Sequence, residues 1–145
     1  MTSVDPAVVV AAARDWLGTP YHDQASMKGV GCDCLGLVRG VWRDVVGDEP
    51  LPLPRYSRDW GETGTREPLA EAARSVMLEV PVTEMTPGAL ILFRMRAGAV
   101  AKHCGILTAP ERFVHAYERT GVIEERLDFF WRRRLAFAFL FPSPS

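Results

Sequence analysis

The chain changes character at Pro87-Gly88. Ahead of that point apolar residues recur at helical spacing: Val8, Val9, Ala12, Ala13, Trp16 and Leu17; then Leu37, Val38, Val41, Trp42 and Val45; then Leu69, Ala72, Ala73, Val76 and Met77. Behind it, residues 89–95, 102–108, 112–118, 121–126 and 134–141 read as strands separated by turn signals such as Ala109-Pro110. Helices gathered in one half and antiparallel strands in the other predict an α+β domain with its helices packed on one face of the sheet. With 145 residues, 48% of them hydrophobic, the chain suits one core, and residues 1–145 read as a single domain.

Local signals place the elements. Asp5-Pro6 reads as an N-cap followed by proline at the first helical position, and Gly18 and Pro20 close that helix. Residues 21–31 are polar and glycine-punctuated, which predicts a loop, and Gly47 stands where the second helix should stop. A third helix is predicted over residues 67–79. Between them, residues 48–65 hold Pro50, Pro52, Pro54, Tyr56 and Trp60 among charged residues, the composition of an extended surface excursion.

Several classes of function are disfavoured. Seventeen basic residues balance 18 acidic ones, so no whole-protein field would draw the chain to nucleic acid. The longest apolar stretches, such as 135–141, fall short of the about 20 residues that span a bilayer, so no membrane insertion is expected. The first residues lack a basic segment and a cleavage site, which predicts no signal peptide. Three cysteines cannot all pair, and Cys32 and Cys34 are badly placed to bridge each other, so free thiols are expected.

Cys34 sits in Gly31-Cys32-Asp33-Cys34-Leu35-Gly36-Leu37, where a turn gives way to helical spacing. A thiol at a helix N-terminus meets unpaired backbone N–H groups and the positive end of the helix dipole, both of which favour the nucleophilic thiolate. Such a cysteine needs a base. His103 and His115 lie in adjacent predicted strands, and a hairpin with Thr108-Ala109-Pro110 as its loop would set them directly opposite each other. Any even shift of that register keeps them on one sheet face, where His115 could orient His103 and His103 could take the proton of Cys34. His22 has no such partner and reads as solvent-exposed.

Five blocks in order, Gly18-Thr19-Pro20-Tyr21, Gly31-Cys32-Asp33-Cys34-Leu35-Gly36-Leu37, Pro87-Gly88-Ala89-Leu90-Ile91-Leu92-Phe93, Lys102-His103-Cys104-Gly105-Ile106 and Phe113-Val114-His115-Ala116, resemble the motifs of the NlpC/P60 cysteine peptidases. The resemblance implies a papain-like fold with Cys34 as nucleophile, His103 as base and His115 orienting it. It also implies that Tyr21 and the Cys34 backbone N–H face the oxyanion, and that Asp33 shapes the neighbouring subsite. The implied substrate is a peptidoglycan stem peptide, cut at bonds such as D-Glu to the diamino acid, with no metal or other cofactor.

Within the family the chain is similar to the small peptidases of bacteriophage tails and gene transfer agents, a likeness helped by residues 53–60. That likeness implies phage-like tail proteins as partners and a virion or gene transfer agent tail as location, with a cytoplasmic enzyme as the alternative. Leu35 stands where many members have Ser or Thr, which removes a polar contact to a free peptide N-terminus. Cys104 should point away from His103 on its strand and reads as buried and structural. Two other readings are a catalytically silent tail assembly or wall-binding protein, and a structural zinc module built on Cys32, Cys34, His103 and Cys104.

Overall fold

The computed structural model describes residues 2–50 and 66–144. Helix α1 (Pro6–Arg14) begins where Asp5 accepts a hydrogen bond from the Ala7 N–H at 2.9 Å. Next come a two-stranded hairpin, β1 (Ser26–Met27) and β2 (Gly31–Cys32), and helix α2 (Cys34–Val45), which ends ahead of Gly47. The predicted loop 21–31 thus contains a short ladder. Tyr56, Trp60 and most of the proline-rich excursion lie outside the described residues.

Helix α3 (Pro68–Val76) is shorter than the 67–79 span expected from its periodicity, because residues past Met77 are taken up by strand β3 (Leu78–Val80). Strand β4 (Ala89–Phe93), β5 (His103–Ala109), β6 (Arg112–Tyr117) and β7 (Gly121–Arg126) follow, then a short helix α4 (Phe129–Arg132) and strand β8 (Leu135–Leu140). The six long-range strands form one sheet in the order β3-β8-β4-β5-β6-β7, with every pairing antiparallel.

Alternation along the strands sorts the core into two layers. On the helix side, Leu90, Leu92, Cys104, Ile106, Val114 and Phe139 pack beneath α1 and α2. On the other side, Ile91, Phe93, Leu107 and Phe113 pack with Trp131 of α4. The helices were expected on one face alone. Instead α4 covers the second face, which explains why the run Ala89-Leu90-Ile91-Leu92-Phe93 is apolar at every position and buried throughout.

The β5–β6 hairpin also departs from the expected loop. Ala109 pairs with Arg112, leaving Pro110-Glu111 as the turn, and a register shift at Thr108 restores pairing at Leu107↔Phe113 and Ile106↔Val114. Continued along the strands, that register sets Gly105 opposite His115 and His103 opposite Tyr117. The histidines are therefore diagonal rather than directly opposed. The displacement is an even one, so both remain on the α4 face.

Candidate active site

The first turn of α2 is anchored from two sides. Asp33, 2% exposed, caps the helix: its Oδ1 accepts from the Gly36 N–H at 2.7 Å, and its Oδ2 accepts from the Gln24 N–H at 2.7 Å. The loop ahead of β1 lies directly on the helix, since a Cβ at Gly36 would stand only 1.8 Å from the Ala25 carbonyl oxygen. The Ser26 hydroxyl donates to the Gly36 carbonyl at 2.6 Å. Cys34 is thereby fixed at the helix N-terminus and remains partly exposed, whereas Cys32 and Cys104 are buried. Leu35 turns into the helix-side core, and His22 is exposed.

Cys34 lies at the start of β5, with its sulfur 3.9 Å from the Lys102 carbonyl oxygen. From there it meets side chains on both faces of the strand. The Cys104 thiol adjoins it from the helix side, and His103 acts on it from the α4 side. The hydrogen bond from Cys104 is the largest influence that lowers the Cys34 thiol well below its ordinary range, with His103 acting in the same direction against the cost of burial. Cys104 moves the opposite way, raised by donating to Cys34 and by its own burial. Cys104 is buried and points away from His103 as expected, but it is more than structural, because it touches the candidate nucleophile. Cys32 is pushed up to about 12, mainly by burial and then by the charges of Asp33 and Cys34, and remains an inert thiol.

On the α4 face, His103 Nε2 and His115 Nδ1 are 2.8 Å apart. His103 therefore has Nδ1 left to face Cys34. His115 is fully buried, and burial followed by the neighbouring His103 lowers its pKa to about 3, so it is a neutral imidazole. Its Nε2 lies 2.7 Å from Glu125 Oε2 on β7. Trp131 stacks on His103 at 5.6 Å between ring centroids and meets His115 edge-on at 5.0 Å, closing the pair from above.

Tyr21 bridges to Cys32 in a parallel pairing and is half-buried. Burial first, then the charges of Cys34 and Asp33, push its phenol up to about 12, so it keeps its proton and can donate beside the thiol. The five residues singled out in the sequence thus stand in two groups: Cys34 beside the hydrogen-bonded pair His103 and His115, with Tyr21 and Asp33 flanking Cys34. Glu125, Trp131 and Gly105 are additions from the structure. A Cβ at Gly105 would lie 2.8 Å from the Val114 carbonyl oxygen and 3.0 Å from His115 Cβ, so the bare backbone there makes room for the His115 ring. Among the described residues no three His, Cys, Asp or Glu side chains are grouped to hold a metal ion. No helix among them is long and apolar enough to cross a membrane.

A thiolate-prone cysteine at a helix end, joined to an imidazole that a second buried imidazole holds in place, is an arrangement suited to acyl transfer through a thioester. The chain is 30% identical over 134 residues to the probable endopeptidase NlpC of Escherichia coli strain K12, covering 89% of this chain and 76% of that protein. It is 32% identical over 121 residues to the murein DD-endopeptidase MepS/murein LD-carboxypeptidase of the same strain, covering 83% of this chain and 54%, about half, of that protein. The crystal structure of the NlpC/p60 domain of the peptidoglycan hydrolase SagA shares the fold, with a TM-score of 0.66 at 23% identity over 94% of this chain and 98% of that one. The NlpC/P60 family profile matches residues 18–138, a span that takes in the Cys34 helix, both histidine strands and Glu125, and the chain belongs to the NlpC/P60 family.

Proposed function

We propose that this chain is a cysteine endopeptidase that hydrolyses amide bonds in peptidoglycan stem peptides, such as the bond from D-Glu to the diamino acid. The observation that carries the reading is the Cys34 thiol, held at a helix N-terminus beside the His103–His115 pair, whose rings are hydrogen-bonded at 2.8 Å. Relatives named as endopeptidases support the choice of substrate.

The cycle follows from the positions of the groups. His103 Nδ1 takes the proton of Cys34, and the thiolate attacks the amide carbonyl carbon to form a tetrahedral oxyanion. In this reading the Cys34 backbone N–H and the Tyr21 hydroxyl donate to that oxygen, where fixed dipoles are most effective. Collapse breaks the C–N bond, His103 gives its proton to the departing amine, and a thioester remains. His103 then takes a proton from water, whose oxygen attacks the thioester; Cys34 leaves as thiolate and regains its proton. Leu35 offers no polar contact for a free peptide N-terminus, which suits cleavage within a chain.

Mass spectrometry of peptidoglycan fragments tests the reading, with wild-type protein and Cys34→Ala compared under reducing conditions with a chelator present. New stem-peptide products that require Cys34 are expected. Intact stem peptides across several wall chemotypes would refute it in favour of a silent assembly or wall-binding role.

The finer reading is that the enzyme rides in a phage-like tail, in a virion or gene transfer agent, and opens the wall locally alongside other tail proteins. Its support is the likeness of residues 53–60 to the tail-associated peptidases. Its test is quantitative proteomics of purified particles, in which enrichment of this chain with tail proteins is expected and its recovery solely from the cytoplasm would refute it.

A further inference from the structure

Glu125 has no part in the cycle above, yet its position constrains every hydrogen in it. In the β6–β7 ladder His115 faces Ile123 and Phe113 faces Glu125, so Glu125 is the diagonal neighbour of His115 on the same sheet face. Its Oε2 lies 2.7 Å from His115 Nε2. An ionised carboxylate can only accept a hydrogen bond, so the hydrogen of that contact belongs to His115 Nε2. A neutral imidazole has one N–H, which leaves a lone pair on His115 Nδ1. Across 2.8 Å that lone pair can only accept, so His103 Nε2 must donate to it. A neutral His103 then carries its own lone pair on Nδ1, turned toward Cys34.

We propose that Glu125 is a positioning residue that fixes the tautomers of both histidines, giving the line Cys34–His103–His115–Glu125 one direction. The proposal rests on the reading of Cys34 as nucleophile and His103 as base. Each ring donates outward and presents its lone pair inward. When the S–H bond of Cys34 breaks and the His103 Nδ1–H bond forms, both outer hydrogen bonds persist, and the positive charge that forms on His103 is stabilised through His115 by the carboxylate. In the reverse direction His103 Nδ1 would already hold a hydrogen. Accepting the Cys34 proton would then require breaking the bond between the histidines. Glu125 is 38% exposed, so it can be replaced without opening a core, whereas His115 beneath it is fully covered.

Glu125→Gln is the informative change, because the amide is nearly isosteric yet able either to donate or to accept. Two readouts need no peptidoglycan: ¹⁵N chemical shifts of the His115 ring, and the rate of Cys34 alkylation by iodoacetamide. Wild-type protein is expected to show hydrogen on His115 Nε2. Glu125→Gln should show a mixture of tautomers and alkylate about tenfold more slowly, roughly the difference between a charge-assisted and a neutral hydrogen bond. Glu125→Asp, which remains acceptor-only, should restore the wild-type tautomer. A wild-type ¹⁵N pattern in Glu125→Gln with an unchanged alkylation rate would overturn the proposal, as would hydrogen on His115 Nδ1 in the wild-type protein. Failure to release wall fragments in the earlier assay would overturn the peptidase reading while leaving both of these readouts interpretable.

Discussion

The neutral, buried state of His115 should make the fold acid-sensitive well above the carboxylate range. In the unfolded chain a histidine titrates near 6.5, whereas burial and the adjacent His103 hold His115 to about 3 in the native state. Above pH 6.5 neither state binds the proton and His115 contributes no pH dependence. As pH falls below 6.5 the unfolded chain takes up a proton that the native state refuses, so stability drops, and the loss is complete only near pH 3. With these two values the loss from this residue is about 2 kcal/mol at pH 5 and about 3 kcal/mol at pH 4, relative to pH 8.

Urea denaturation at pH 8, 5 and 4 measures that loss directly, with His115→Gln as the reference. Glutamine does not titrate, but its amide can still accept from His103 and donate to Glu125. The substitution will alter stability at every pH through lost packing, so the decisive quantity is the change with pH rather than the absolute value. Wild-type protein should lose about 2 kcal/mol more than His115→Gln between pH 8 and pH 5. His22 is exposed and common to both proteins, so it cancels. Parallel pH profiles for the two proteins would refute the argument, because they would mean that His115 protonates as easily in the native state as in the unfolded chain.

Four further outcomes follow from the site. Cys34→Ala and His103→Ala should each abolish stem-peptide hydrolysis while leaving the circular dichroism spectrum unchanged, and His115→Ala should leave a weakened enzyme. Cys104→Ala removes the thiol that donates to Cys34, so alkylation of Cys34 near pH 6 should slow, while Cys104→Ser, which retains a donor, should slow less. Asp33→Ala strips the cap from α2 and leaves the Gly36 and Gln24 N–H groups without their carboxylate acceptor; denaturation should show a loss of about 2 kcal/mol together with reduced turnover. Gly105→Ala would press a methyl against the Val114 carbonyl and His115, costing about 1–3 kcal/mol in denaturation and displacing His115 enough to lower kcat more than KM changes.

Much of this arrangement was legible in the residues, and the reasons differ from part to part. The place of Cys34 at a helix N-terminus followed from a change of periodicity at one point in the chain, and helical spacing after Cys34 is a local signal. The shared face of His103 and His115 survived an error in the hairpin turn, since parity is unaffected by an even shift. The bulge at Thr108 was not legible because both loop lengths satisfy the same Ala109-Pro110 turn signal. Glu125 was hidden in the tandem Glu124-Glu125. One of the two must point to each side of β7, and the choice depends on the β6–β7 register: Glu124 meets Arg14 at 2.9 Å, and Glu125 meets His115. Helix α4 is only four residues long, too short for its spacing to register, though Asp128 caps it by accepting from the Trp131 N–H.

The division of the sheet into two faces explains why the site depends on so many strands at once. Cys34 stands at the beginning of β5, where a donor from the helix side, Cys104, and an acceptor from the α4 side, His103, can both reach one sulfur. A nucleophile set over the middle of either face would meet only the residues of that face. The consequence is that β5 supplies both immediate neighbours of Cys34 from consecutive positions, while β6 and β7 supply the outer members of the line. Register between β5 and β6 therefore governs His115, and register between β6 and β7 governs Glu125. A one-residue slip in either ladder would turn the corresponding side chain to the helix face and break the line, even with Cys34 and its helix intact. Gly105, the bulge at Thr108 and the Trp131 cover thus belong to the proposed catalytic arrangement as much as to the fold.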